Sequence, residues 1–212
     1  MRRCLVLIAA LGLLAAAPHA ADGRFEGTCA EQGSETVKST SKVRVYWKQD
    51  VLYGCVRESG VRRKLFGGEN LAGNYYPGLH LIRVAGYRVA FATGGFCTVC
   101  GDPGPSAAIY AFALRANTRR VLAPVRRHPE DSGTWVDALV LDRCGRIAYR
   151  AILQQSYARD EDPDPELHTW AGGIHRRVDR GRIERKSIRL EPGSVRWVRD
   201  GVERSAPLEP RC

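Results

Sequence analysis

The fold class is decided by residues 86–122, which read GYRVAFATGGFCTVCGDPGPSAAIYAFALRANTRRVL. Residues 87–92 alternate apolar and polar or small side chains, which is the period of a half-buried β-strand. A loop rich in Gly and Pro follows, and a second apolar run spans residues 109–114. The stretch therefore predicts strand, loop, strand.

The same kind of short apolar run recurs along most of the chain. Turn residues such as Gln49-Asp50 and Ser59-Gly60 separate these runs, and none keeps a helical period over ten or more residues. The predicted class is therefore all-β. The predicted strands cover residues 43–47, 51–56, 61–65, 79–84, 87–92, 109–114, 119–123, 136–141, 147–153, 167–170, 188–190 and 195–198.

Two pairs of segments indicate an internal repeat. Residues 53–65 and 110–122 share an aromatic start, a turn, a basic pair and a final leucine at an offset of 57. Val89-Ala90-Phe91 and Ile147-Ala148-Tyr149 match at an offset of 58. Looser aliphatic-x-aromatic echoes at 43–46 and 195–197 extend the series to four.

In this pattern the chain resembles the degenerate blades of TolB-like and WD40-like β-propellers over residues 40–208. It lacks the Trp-Asp and Gly-His marks of true WD40 units. The resemblance implies a small propeller-like array of about four antiparallel blades. A β-sandwich or an open stack of sheets is the alternative.

The N-terminus predicts export. Arg2 and Arg3 precede an apolar segment at residues 5–17, and small residues follow at Ala20 and Ala21. We expect a signal peptide at 1–21, an irregular lead-in or weak edge strand at 22–40 and one all-β repeat domain at 41–212. The expected location is secreted, extracellular or periplasmic. The apolar segment falls short of the about 20 residues of a membrane span, so we expect no transmembrane segment in the mature chain.

Charge indicates the class of partner. The chain carries 33 basic and 23 acidic residues, a net charge of +10. The arginines are spread widely, and clear clusters occur only at residues 62–64 and 176–186. An exported chain disfavours nucleic acid, so the expected partner is a protein or an anionic cell-envelope polymer.

Cysteine number predicts disulfides. Six cysteines remain after residue 21, an even count that is typical of exported disulfide proteins, with a redox pair or a metal site as the alternatives for Cys97 and Cys100. In the Cys97-x-x-Cys100 motif a Gly- and Pro-rich segment follows where a redox motif needs a helix. Six cysteines allow 15 connectivities, among which the nearness of Cys29 and Cys55 favours their pairing. The predicted disulfide cysteines are Cys29, Cys55, Cys97, Cys100, Cys144 and Cys212.

An acidic segment raises the question of calcium. Carboxylates stand at the alternate positions Asp160, Asp162, Asp164 and Glu166, as a hard cation requires. The EF-hand glycine is absent and two prolines stiffen the backbone, so a solvated loop is the simpler interpretation. We expect no cofactor, with calcium as the alternative.

Catalytic motifs are absent from the sequence. It contains no Gly-x-Ser-x-Gly, His-Glu-x-x-His or P-loop pattern, and His128 with Asp131 and Ser132 only shares residue types with a triad. The tryptophans are more simply interpreted as core residues of the blades than as a platform for sugar stacking, and Trp170, near His168, is the best candidate for an exposed one. The predicted function is non-catalytic recognition of a protein or anionic glycan, or a structural role at the cell envelope. The alternative is a secreted hydrolase with its site at residues 128–135 and 160–170.

Overall fold

The computed structural model describes residues 29–67, 78–94, 108–122, 134–153 and 164–209. The regular elements in these ranges are fifteen β-strands, which confirms the all-β class. None of the described residues forms a helix long and apolar enough to cross a bilayer.

Strands that follow one another in sequence pair antiparallel, and they form four separate sheets. Sheet A contains β1 (Glu35–Ser39), β2 (Val43–Lys48), β3 (Val51–Val56) and β4 (Arg62–Gly67). Sheet B contains β5 (Gly78–Ala85), β6 (Arg88–Gly94), β7 (Ala108–Ala113) and β8 (Thr118–Leu122). Sheet C contains β9 (Thr134–Leu141), β10 (Ile147–Leu153), β11 (Glu166–Ala171) and β12 (Ile174–Arg180). Sheet D contains β13 (Arg189–Glu191), β14 (Ser194–Arg199) and β15 (Val202–Pro207).

The sequence repeats fall on equivalent strands. The tyrosines that start the first pair, Tyr53 and Tyr110, lie on β3 and β7, which are the third strands of sheets A and B. The four aliphatic-x-aromatic segments lie on β2, β6, β10 and β14, the second strand of each sheet. The period of the sequence is thus the period of the sheets.

Sheets A and B pack face to face because β6 places large side chains on one face. Val89 and Phe91 point toward sheet A and contact Val43 and Leu52. Gly54 lies in the same interface, where an added Cβ would come within 2.9 Å of a Leu114 methyl group. A residue without a side chain is what lets the two sheets approach at this point.

The opposite face of sheet B carries small side chains and packs against sheet C. Ala90 and Ala92 of β6 contact the cluster that contains Ile147 and Tyr149 of β10. Sheet C in turn packs on sheet D through a third cluster, which includes Leu167 and Trp197. The described residues therefore show three successive interfaces, A with B, B with C and C with D.

Polar contacts between turns align the sheets at one end. The Tyr87 hydroxyl donates to Glu58 at 2.7 Å and joins sheet B to sheet A. Arg88 donates to the carbonyl of Arg143 at 3.0 Å, which joins sheets B and C. The buried guanidinium of Arg146 donates to the carbonyl of Glu191 at 2.8 Å and joins sheets C and D. The opposite strand ends flank residues 68–77, 95–107, 123–133 and 154–163, which lie outside the described residues.

The outer face of sheet A is covered by the chain that precedes it. Cys29 forms a disulfide with Cys55 of β3, the pairing that sequence proximity favoured, and both are fully buried. Glu31 accepts a hydrogen bond from the buried Tyr46 at 2.7 Å and forms an ion pair with Lys48. Residues 29–34 thus cap the face of sheet A that turns away from sheet B.

Three strands show little of the apolar alternation from which the other strands are predicted. β1 (Glu35–Ser39) lies in the expected lead-in and is exposed throughout, which agrees with the weak edge strand and not with an irregular segment. Sequence analysis did not predict β12 (Ile174–Arg180) or β15 (Val202–Pro207). All three are edge strands with mostly exposed side chains, so they lack the apolar alternation of half-buried strands.

Candidate binding site

The candidate site lies on sheet C, at its edge strand β12. Gly172 and Gly173 form the turn from β11 into β12, both with positive φ, and β12 pairs only with β11 among the described strands. His175 and Arg177 lie on the face of β12 toward sheet B, whereas Ile174 and Arg176 lie on the face toward sheet D. Both faces of one exposed strand therefore carry chemically active side chains.

Three aromatic rings stack across β10, β11 and β12. The fully buried Tyr149 lies 5.2 Å from the ring of His168, which lies 5.1 Å from the ring of His175. Tyr149 and His168 are direct cross-strand partners, so the pleat places their rings face to face. The Tyr149 hydroxyl lies 2.7 Å from Nε2 of His175.

Next to this stack, a buried carboxylate joins His168 to an exposed guanidinium. Glu166 is 3% exposed, and its two oxygens lie 2.9 Å from His168 Nε2 and 2.8 Å from Arg177. Because a carboxylate only accepts hydrogen bonds, Nε2 of His168 is the donor. In the neutral ring Nδ1 is then an acceptor, and this buried atom has no hydrogen-bond partner among the described residues.

Burial sets the protonation of the stack. It lowers the pKa of His168, although the hydrogen bond that His168 donates to Glu166 acts in the opposite direction. Burial also lowers the pKa of His175 and raises the pKa of Tyr149. At neutral pH the two imidazoles are neutral and Tyr149 keeps its proton, so the hydrogen bond between the Tyr149 hydroxyl and His175 joins two uncharged groups.

The rim of the stack toward sheet B is cationic. Arg120 of β8 lies over the ring of the half-buried Trp170, at 5.5 Å from its centre. Arg177 stands on the other side of the stack with 59% of its side chain exposed. The neutral rings are thus flanked by two guanidinium groups.

The other face of β12 borders a cleft between sheets C and D. The cleft has a volume of about 380 Å³ and is lined in part by Thr169, Ile174, Arg176 and Leu208. Ile174 is 52% exposed, and Arg176 forms no ion pair with the described residues. The cleft therefore combines an apolar wall with two residues of opposite charge, Arg176 and Glu209, which form no ion pair with each other.

A basic turn continues from the end of β12. Arg182, Arg185 and Lys186 are exposed and have no acidic partner in the part of the chain that the structure describes. The backbone around them is fixed to β14, since Glu184 donates to the carbonyl of Val198 and Ser187 Oγ accepts from the Val198 amide at 2.8 Å. The cluster predicted at residues 176–186 is thus an ordered basic edge.

Two of the four carboxylates singled out in the acidic segment, Asp164 and Glu166, lie in the described part of the chain, and both contact β12. Asp164 is exposed and lies 3.9 Å from Arg180, while Glu166 is committed to His168 and Arg177. Asp160 and Asp162 lie outside the described residues. Within the described ranges no cluster of three His, Cys, Asp or Glu could hold a metal ion, and the calcium site stays a prediction.

Most of the other residues singled out in the sequence lie outside the described part of the chain, whereas Cys144 and Trp170 lie within it. His128, Asp131 and Ser132 lie outside the described residues, as do Cys97, Cys100 and Cys212. Cys144, in the turn between β9 and β10, is disulfide-bonded, as predicted. The tryptophan that the structure exposes is Trp135, at 40%, and not Trp170.

Sequence analysis named His168 and Glu166 but missed Tyr149, His175 and Arg177 as members of the same site. The alternation of β11 placed His168 and Glu166 on one face, which is a signal that the sequence contains. The other three come from β10 and β12, and only the strand register brings them together. No protein-family model matches this chain, and no curated protein matches it either.

Proposed function

We propose that this protein is an exported, non-catalytic binding module that recognises an anionic partner, a protein or a glycan of the cell envelope, through the basic edge of sheet C. The observation that carries the proposal is the segment 174–186, which contains six basic and two acidic residues. Four of its cations, Arg176, Arg182, Arg185 and Lys186, have no acidic partner among the described residues. Unneutralised charge on an ordered surface favours binding of an opposite charge.

The four-sheet architecture fits this role. Four consecutive antiparallel meanders with a shared repeat support a propeller-type array of blades. Because residues 29–34 cover the outer face of sheet A, we infer an open stack of blades and not a closed ring. An open stack keeps the edges of its sheets accessible to partners.

Binding of charged polymers tests the proposal. Isothermal titration of the purified protein with polyglutamate and with a polyuronate should give binding that weakens as salt rises, and neutral dextran should give none. The variant Arg182→Gln, Arg185→Gln, Lys186→Gln should lose most of this binding. A matched control, Lys38→Gln, Lys64→Gln, Arg204→Gln, removes the same charge from sheets A and D. If both triple variants lose binding equally, net charge and not this edge is responsible, and the proposed site is wrong.

A second candidate function, a hydrolase, is favoured by one observation. The pair of Glu166 and His168 joins a carboxylate to an imidazole whose Nδ1 is an unpartnered acceptor, as a general base requires. Incubation with the same polymers should release no new reducing ends or amines. Release that His168→Gln abolishes, and that the basic-turn variant only weakens, would favour the enzyme over the binding module.

A further inference from the structure

We infer that the partner is a protein, and that an acidic extended segment of it adds to sheet C as a fifth strand beside β12. This inference rests on the proposed function, because it specifies which anionic partner the basic edge binds and how. Three features of β12 support the inference. It is the edge strand of sheet C among the described strands, both of its faces carry basic side chains, and a cleft lies beside one of these faces.

The backbone of β12 is available for pairing. The strand has a neighbour on one side only among the described strands, and antiparallel pairing leaves the N–H and C=O of every second residue directed away from β11. The register with β11 is regular from Ile174 to Arg177 and shifts only beyond that point. A partner strand therefore meets one continuous row of unpaired groups, which a peptide backbone complements and a glycan does not.

Both faces of this edge favour acidic side chains. An added strand points its side chains alternately to the two faces of the sheet. On one face it meets His175 and Arg177, which also binds Glu166, and on the other it meets Arg176 in a cleft that Glu209 also lines. Since each face presents a guanidinium, successive residues of the partner can both be acidic.

The end of β12 next to the turn has a different preference. Ile174 is half-exposed there, and Leu208 forms the adjacent wall of the cleft. An apolar side chain placed at this end covers Ile174 and gains from its burial. The preferred segment is therefore acidic with one apolar residue at the end that meets Ile174.

The same charges exclude the most abundant competitor, a second copy of this chain. Pairing of two β12 edges would bring Arg176 and Arg177 of one copy against those of the other, and like charges on adjacent strands repel. An acidic strand removes this repulsion. The charges on β12 thus disfavour pairing with the β12 strand of a second copy and favour pairing with an acidic strand.

The test uses a fluorescein-labelled peptide of consecutive Glu residues with one terminal Leu, and a second peptide of equal charge with N-methyl groups on alternate residues. We expect anisotropy to show binding of the first peptide to the full protein. N-methylation should weaken it about tenfold, because it removes backbone donors. Arg176→Glu should also weaken binding about tenfold, whereas Arg204→Glu, the same charge change on sheet D, should leave it within about twofold. Amide exchange at residues 174–177 should slow in the complex.

Each other result overturns the inference in a distinguishable way. Equal binding of both peptides, with loss in Arg176→Glu, would leave anionic recognition intact and remove the added strand. Binding of the polyuronate without either peptide would identify a glycan. Equal weakening by Arg176→Glu and Arg204→Glu would reduce the effect to net charge, and no binding of any polyanion would remove the proposed function itself.

Discussion

Two fully buried tyrosines occupy equivalent second strands, yet their surroundings differ. Tyr46 in sheet A donates to the Glu31 carboxylate, and Tyr149 in sheet C is hydrogen-bonded to the imidazole of His175, both at 2.7 Å. Glu31 is tied down by Lys48, Arg62 and the disulfide two residues before it. His175 instead stands on an exposed edge strand. The Tyr46 hydroxyl thus belongs to a fixed structural cap, whereas the Tyr149 hydroxyl belongs to a site on an exposed edge strand.

The electrostatics of the two clusters reinforce this difference. Burial and the Glu31 carboxylate raise the pKa of Tyr46 to about 12. Hydrogen bonds from Lys48 and Tyr46 lower the pKa of Glu31, so this cluster is charged and paired at neutral pH. The sheet C stack contains two imidazoles whose pKa values are lowered by burial, so it is held neutral. The cap is an ion-paired structural unit, whereas the stack is sensitive to protons.

The largest expected effect concerns the disulfide of the cap. The double variant Cys29→Ser, Cys55→Ser opens a loop with a sequence separation of 26 residues. Chain entropy alone predicts a loss of about 3 kcal/mol in the free energy of unfolding. Urea denaturation under non-reducing conditions measures it, with the parent protein alongside. A loss below about 1 kcal/mol would mean that the cap contributes little, and the contrast between the sheets would fail.

An intermediate effect separates the two hydroxyls. Tyr46→Phe removes a hydrogen bond to a carboxylate and should cost about 1.5–3 kcal/mol. Tyr149→Phe removes a bond to a neutral imidazole and should cost about 0.5–1.5 kcal/mol. Both changes keep the ring, so each variant is the matched control of the other in the same denaturation experiment. The reverse order of costs would contradict the assignment of Tyr46 to the structural role.

The smallest effect is a difference in pH dependence. Because the folded state lowers the pKa of His168 and His175, the unfolded chain binds protons first as pH falls below 6.5. Stability contributed by the stack is therefore complete above pH 6.5 and declines as pH falls toward the folded pKa values. The melting temperature followed from about pH 8 to about pH 5 should show this decline, and His168→Gln with His175→Gln should flatten it.

Glu31 provides the control for that measurement. Its pKa is lowered from 4.5, so its stabilisation persists as pH falls to about 4.5 and is lost only below that value. Glu31→Gln should leave the slope between about pH 8 and pH 5 unchanged. A variant that flattened this slope as strongly as the histidine variants would show that the two clusters titrate together.

How far the sequence predicts these features depends on burial. The central strands β6 and β10 alternate large and small buried side chains, for example Val89 and Phe91 with Ala90 and Ala92, so the residues themselves show the period of two. The edge strand β12, with the sequence IHRRVDR, buries little and therefore shows no such period. His175 and Arg177 lie on that strand, which is why the sequence did not mark them, whereas Tyr149 lies on β10 and only the strand register places it beside His168.

By itself, the sequence determined the all-β class and favoured the pairing of Cys29 with Cys55, because each follows from local alternation or short separation along the chain. It also marked the basic segment 176–186 and predicted export. Only the tertiary structure decided that Tyr149, His168 and His175 stack, and that Arg176 faces a cleft beside Leu208. Those contacts depend on strand register and on the packing of sheet C against sheet D, which residues distant in sequence fix together.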